Sequence, residues 1–527
     1  MRYFIILIIS ISLFNSCSNS AAEVPIEFFK DESIPLEEKI QKVLDNSYLK
    51  TLGFDDSQSE WLQKHYEKNS FKPHWINDSM FIESGLKIKE TLSHSMWFGI
   101  PENRISFSKK ANLNWVEEEI MLTAKTAMVL NDLNSGFLNI TDKKYKVKKF
   151  VSSGNFDSTL AMNENRSFDE LFLQQRLTDT NYQFIASQLY IFCKSYPLDK
   201  NTFDIETIKN DSIHTIPKAT KALISKGYLK GNSKDSLLFV KALKIFQGHN
   251  GLKKDGVVGK YTAWALNEST YDKVLRAAFV MDKLRTAIKY PSKCVRINLP
   301  EYVLRFYAND SLKQIHNIVI GKTENQTPQL ESTIRKIVVY PYWTIPQSIA
   351  SKEVLPAAKR SAGYFAKNNY RIYRNDVEIN PFSVNWDKIK KGTFPYKIIQ
   401  DPGPKNSLGI IKFEFYNDFS VYVHDSPAKS LFKTDIRSYS HGCMRCENPV
   451  DLGKVILDYD SVGRKRNDLT RDSLDTLINR AENFVIQLKK PIPIYVEYNT
   501  VYADREKLIF HLDIYKRDEE YLKIMKE

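Results

Sequence analysis

Between His424 and Pro449 the chain reads HDSPAKSLFKTDIRSYSHGCMRCENP, a stretch that holds two of its nine histidines and two of its five cysteines. A thiol becomes a strong nucleophile when an imidazole or oriented backbone N–H groups stabilise its thiolate. Ser440-His441-Gly442-Cys443 places an imidazole two positions before a thiol, and Gly442 lets the backbone approach a substrate or take a φ that larger residues resist. His424 closes the β-like run Phe419 to Val423 and offers a second imidazole, with room before Cys443 for a strand end, a loop and a return. Cys443 is the candidate nucleophile. Of the two candidate bases, His424 is favoured over His441, because a residue two positions away folds back onto the thiol with difficulty. The backbone carbonyl of Asp425 is a candidate to orient His424. The backbone N–H groups of His441, Gly442 and Cys443 are candidates for an oxyanion hole. Arg445 either binds a substrate carboxylate or clamps Glu447 or a carbonyl.

A metal or redox reading competes. Cys443 and Cys446 form a Cys-x-x-Cys pair, and with His424 and His441 they could ligate zinc. Neither use needs Ser-His-Gly before the first cysteine, so no metal and no cofactor is expected. The stretch resembles the signature of the L,D-transpeptidases with a YkuD-type catalytic domain, His…Ser-His-Gly-Cys-x-Arg, and within them the large YcbB-like branch. Cys446 stands where that branch usually has an aliphatic residue. The resemblance extends to Pro341-Tyr342-Trp343-Thr344-Ile345-Pro346, to Gly403 through Phe413, and to PIPIYVEYNTVY with DIYKRD near the end. It implies that His424 is the base and that Ser440, Tyr422, Trp343 and Asn406 contact substrate. It implies two steps: the thiolate attacks the third residue of a tetrapeptide stem and releases D-alanine, and a side-chain amine of a neighbouring stem then takes the acyl group. Water as acceptor would make a carboxypeptidase. A non-catalytic wall-binding lipoprotein is a third reading, against which the retention of Cys443, His424 and Arg445 argues.

Those residues need a large scaffold around them. The 527 residues allow two to four domains, and an apolar share of 42% supports ordinary packed cores. With 76 Lys and Arg against 63 Asp and Glu, the net charge of +13 suits acidic partners such as wall polymers or an anionic membrane. The lysines are scattered and no nucleic-acid motif is present, so nucleic acid is not an expected partner. Peptidoglycan stem peptides and glycan are, and the protein is expected to be a monomer. Residues 1–17, MRYFIILIISISLFNSC, carry a short basic start and an apolar run too short to span a bilayer. They resemble a bacterial lipoprotein signal with Cys17 as the lipidated residue; a plain secretory signal is the alternative. Either reading exports the chain, with a periplasmic, membrane-anchored location expected.

The expected fold class is α+β and multidomain. Residues 18–35 read as a tether. Residues 36–200 read as a helical scaffold, in which Leu122 to Leu133 carries an apolar helical stripe broken at Asn134-Ser135-Gly136. Trp61, Trp75 and Trp97 are expected in cores or interfaces. Residues 210–268 resemble a three-helix peptidoglycan-binding module of the form FQ-x(3)-GL-x-x-DGxxGxxT, its motif residues expected to hold the fold. A linking helix follows over 269–291. Residues 292–518 read as a β-rich mixed-sheet catalytic domain. Residues 295–300 and 302–307 form a hairpin, and 348–398 form a helical and irregular capping insert, expected as a mobile lid over the site. Residues 519–527 read as a tail.

Overall fold

The computed structural model describes residues 26–526, apart from 108–109, 111, 142–143, 149–155, 157–166, 175–179, 232–234, 287–288, 391, 393 and 461–468. The leader and Cys17 therefore lie outside the described residues. The chain divides into two compact units, one ending at Arg176 and one beginning at Leu177.

The first unit is built on the helix Trp115–Ser135. It starts sharply because the Asn114 side chain accepts from the N–H groups of Val116 and Glu117 while Glu117 bonds back to the Asn114 N–H. Ile40, Leu62, Tyr66 and Ile120 are buried around it, and so is Phe29, on the helix Ile26–Lys30. Part of the expected tether is thus packed into this unit. Trp75 is buried too, its indole N–H 2.9 Å from Thr123 Oγ1.

The helix Thr180–Ser195, expected within the scaffold, belongs to the second unit. Its apolar stripe of Ile185, Leu189 and Phe192 packs against the helix Thr270–Thr286 and the hairpin Val501–Ala503 and Leu508–Phe510. The expected three-helix module is Thr215–Ser225, Ser236–His249 and Lys260–Asn267. Its motif residue Gln247 is buried. The Gln247 amide donates to Asp255, the Val257 carbonyl and Thr262, and accepts from the Gly256 N–H. The Gln and the Asp-Gly loop therefore serve the fold. The presumed tail is an ordered helix, Glu519–Lys526, whose Tyr521 is fully buried and stacks on Phe279 at 4.3 Å.

The region from Cys294 to Glu497 carries a nine-stranded mixed sheet and a separate four-stranded one. Its strands, in chain order, are β1 (Cys294–Asn298), β2 (Val303–Ala308), β3 (Ser311–Gly321), β4 (Leu330–Val339), β5 (Trp343–Thr344), β6 (Tyr370–Arg374), β7 (Val377–Ile379), β8 (Lys397–Gln400), β9 (Ile411–Phe415), β10 (Val423–His424), β11 (Ser438–Ser440), β12 (Met444–Cys446) and β13 (Phe484–Glu497). Strands β5 to β8 stand apart; the others run in the order β11-β3-β12-β10-β9-β4-β13-β1-β2. Strand β2 also pairs with β3, so the sheet returns on itself rather than forming two stacked layers. The hairpin β1–β2 pairs as its alternation suggests, with Val295 opposite Phe306. The inner face, including Val295, Ile337, Phe413, Val423 and Met444, shares one apolar core with the three-helix module.

The capping insert leaves the sheet after β4 and returns at β9. These two strands are themselves paired, with Val339 opposite Ile411. The insert is not merely helical and irregular. It holds a four-stranded antiparallel sheet in the order β7-β6-β8-β5, covered by the helices Leu355–Arg360 and Gly363–Lys367. Its own core contains Phe365, Ile372, Trp386 and Ile398. The element is wider than 348–398, since Trp343 and Gln400 pair at its base.

Candidate active site

Parallel pairing of β10 with β12 builds the site. Val423 lies beside Met444 and His424 beside Arg445. Successive side chains of a strand point to opposite faces. Val423, Met444 and Cys446 enter the core, while His424 and Arg445 share the other face with Lys412, which pairs with His424 from β9. The same register brings Tyr422 to Cys443, and the Met444 N–H donates to the Tyr422 carbonyl at 3.0 Å. His424, Arg445, Cys443, Tyr422, Trp343 and His441 line one cleft of about 430 Å³ between sheet and cap.

Burial pushes the Cys443 thiol up, and four groups oppose it: the backbone N–H and the hydroxyl of Tyr422, then Lys412 and Arg445. The Tyr422 hydroxyl is also within hydrogen-bonding reach of Trp343, and burial beside Cys443 raises its own pKa strongly. Tyr422 therefore lies beside the nucleophile in the cleft. His424 is buried and held neutral. Burial is the main cause, and the neighbouring Arg445 and Lys412 cations add to it, lowering its pKa to about 3. The carbonyls of Asp425 and Leu408 pull the other way. They are the acceptors that face the ring, although Nδ1 completes a well-aligned bond to neither.

The Asp425 carboxylate points elsewhere, accepting from the Ile410 N–H at 3.1 Å and pairing with Lys429. It sits so close to Gly409 (φ +62°) that a Cβ there would meet it at 2.2 Å, which restricts position 409 to glycine. Gly442 adopts φ +119°, a conformation that L side chains rarely take. Its N–H donates to Ser440 Oγ at 3.1 Å, and its carbonyl accepts from Thr327 Oγ1 at 2.8 Å. The Gly442 N–H is thus spent inside the loop and is not an oxyanion donor here. The Ser440 hydroxyl donates to the Cys443 carbonyl at 2.6 Å, so it braces the nucleophile's loop rather than presenting itself to substrate. Among the described residues, the Cys443 N–H has no hydrogen-bond partner.

Asn406 is not a substrate contact. It is buried outside the cleft, where its amide donates to the carbonyls of Pro341, Gln400 and Asp401 and accepts from the Leu408 N–H. It ties the two ends of the cap together. Replacing it by alanine strands several backbone groups, and the expected result is a loss of roughly 2–4 kcal/mol in stability, read by thermal or denaturant unfolding.

Arg445 is half-buried and lined up with the cleft. Among the described residues its guanidinium has no ion pair or hydrogen bond, so the clamp on Glu447 is absent. Glu447 instead accepts from Asn317 at 2.7 Å. His441 is turned to the cap, where its Nε2 lies 2.5 Å from Glu353 Oε1. Cys446 lies fully buried in the core, on the opposite face of β12 from Arg445, with burial pushing its thiol up. All four cysteines of the described residues are free. Lys412 lies in the Gly403–Phe413 stretch but was given no role there, and Thr327 and Glu353 were passed over altogether. Only the sheet register and the cap's approach bring them to the site.

Because His424 is neutral and the thiol is raised, the resting pair carries no thiolate–imidazolium charge. Alkylation of Cys443 by iodoacetamide should therefore climb with pH through 9. It should show no inflection near 6.5, the ordinary histidine value. Mass mapping of the adduct against pH checks this.

With that geometry in hand, likenesses to known proteins can be placed. Residues 292–462 match the family model of YkuD, the L,D-transpeptidase catalytic domain, which takes in every candidate catalytic residue. A putative L,D-transpeptidase of Haemophilus influenzae is 27% identical over 223 residues, 42% of this chain and 44% of that protein. The chain thus spans less than half the length of this relative. The L,D-transpeptidase of Xylanimonas cellulosilytica (13% identity, 57% of this chain and 98% of that one) and an avibactam carbamoyl form of the enzyme Ldtfm (11%, 53% and 87%) both align at a TM-score of 0.17, which carries no argument. Among the described residues no helix is long and apolar enough to cross a membrane.

Proposed function

We propose that this protein is a cell-wall L,D-transpeptidase that cross-links peptidoglycan stem peptides through an acyl-enzyme on Cys443. The observation that carries the reading is a thiol that shares one cleft with Tyr422, a buried neutral imidazole and a guanidinium that has no ion pair among the described residues. Cys443 attacks the carbonyl of the third residue of a tetrapeptide donor, His424 takes the thiol proton and returns it to the departing nitrogen as the C–N bond breaks, and D-alanine leaves. The Cys443 N–H and the Tyr422 hydroxyl are the donors nearest the forming oxyanion. Arg445 binds a donor carboxylate. That binding offsets one of the two cations that keep His424 from accepting a proton, so substrate raises the basicity of its own base.

The chain is further read as a member of the YcbB-like branch, with 210–268 as a peptidoglycan-binding module. It is read as a monomer, exported and anchored to a membrane through lipidated Cys17. The test is to incubate the purified protein with disaccharide-tetrapeptide and weigh the products. Amine-linked dimers with loss of D-alanine are expected. Tripeptide alone would make the protein an L,D-carboxypeptidase, and unchanged substrate would leave it a wall-binding protein.

A further inference from the structure

Glu353 is the one carboxylate that lines the Cys443 cleft among the described residues. It comes from the cap, on the π-helical turn Ala350–Val354, and meets His441 at 2.5 Å. Both side chains stay open to solvent, 34% exposed for His441 and 51% for Glu353. Neither is engaged by the thiol, which lies beside Tyr422. The cleft is therefore electrically divided: the sheet wall carries Arg445, and the cap wall carries Glu353.

We infer that His441 and Glu353 form the acceptor site, where the incoming ammonium is bound and deprotonated before it attacks the acyl-enzyme. This rests on the transpeptidase reading. A primary ammonium with a pKa near about 10.4 is almost wholly protonated at neutral pH and has no lone pair to offer. Glu353 supplies the only opposite charge in the cleft, and its second oxygen has no partner among the described residues. With its Nε2–H donated to Glu353, His441 has Nδ1 free as proton acceptor, and the carboxylate stabilises the imidazolium that results. The ammonium passes one proton to His441. The neutral amine forms its C–N bond with the thioester carbon. As the C–S bond breaks, the nitrogen's second proton passes by way of His424 to the departing sulfur. His441 then releases its proton to water. One ammonium and one acyl-enzyme become one amide, one thiol and one proton. Water as nucleophile needs no anion to hold it, so the pair favours aminolysis over hydrolysis. His441 is the proton acceptor, and Glu353 both holds the ammonium and orients His441.

The test uses full-length wild type, Glu353→Gln, His441→Gln and the double variant. The donor is disaccharide-tetrapeptide, and the acceptor is a tripeptide stem with a free side-chain amine. In Glu353→Gln, cross-linking at limiting amine should fall at least about tenfold, the scale of general-base assistance. The loss should come through a higher KM for the amine, and the limb of the aminolysis pH profile set by the base should move downward, because the imidazolium loses the carboxylate that stabilises it. The hydrolysed share should rise, and acyl-enzyme formation should change far less than cross-linking. Glu353→Asp should recover part of the loss, and the double variant should be worse than His441→Gln alone, because it also loses the anion that holds the amine. Equal loss of acylation and cross-linking in Glu353→Gln, or wild-type cross-linking with an unmoved pH profile, would overturn this inference alone. A wild-type protein that cleaves the donor yet never joins it to an amine would overturn the transpeptidase reading with it.

Discussion

Cys443→Ala is expected to abolish acylation completely, with no adduct left on any other residue after treatment with a carbapenem. The other described thiols differ from Cys443 in their surroundings as much as in their place. Burial pushes Cys294 up to about 11 with only Arg296 opposing it, and Cys193 and Cys446 are pushed further. Only Cys443 combines solvent access with the N–H and hydroxyl of Tyr422 and two nearby cations. A thiol without such stabilisation reacts slowly. Intact mass followed by peptide mapping decides the matter: an adduct that survives on Cys193, Cys294 or Cys446 overturns the assignment.

His424→Ala should lower the acylation rate by roughly a hundredfold or more, the usual scale of a lost general base. Truncation also leaves Lys412 and Arg445 facing each other across the gap between β9 and β12. The variant therefore needs a folding check by circular dichroism, and His424→Gln serves as the near-isosteric control. His441 cannot take over, because its imidazole is turned to Glu353 on the cap. His441→Ala should thus spare acylation relative to His424→Ala. The reverse order of effects in stopped-flow acylation would exchange the two roles.

Much of the site was legible because its chemistry is concentrated in one short stretch of rare residue types. Cys443, His424 and Arg445 could be named from that stretch, and strand alternation foretold the hairpin β1–β2. Asn406 shows where such reading fails. An asparagine that closes a backbone loop and one that binds a peptide look alike until its partners are seen. Ser440 is a similar case, its hydroxyl consumed by the loop that it seemed to decorate. The cap's strands are three to five residues long where they exceed a single pair, too short for alternation to stand out among its aromatics. The helix Thr180–Ser195 falls in the stretch read as scaffold, and nothing in its sequence tells which unit covers it. Glu353 sits in no motif, and its meeting with His441 depends on how a separate small core docks over the sheet.

The base of that cap bears on the order in which the chain folds. Val339 and Ile411 face each other in the main sheet across the excursion 340–410, and bringing such distant residues together carries a loop-closure entropy that grows with the intervening length. The excursion is not a slack loop, however. Thr344 already pairs with Ile399 at its foot, and Phe365, Ile372, Trp386 and Ile398 close around one another without help from the sheet. Once this local cluster has formed, the two ends of the excursion are neighbours, and β4 meets β9 almost as the arms of a hairpin would. A cap that closed first would thus spare the strand pair that carries Lys412 most of that closure entropy, so the part of the chain that covers the chemistry would also ease the assembly of the surface beneath it.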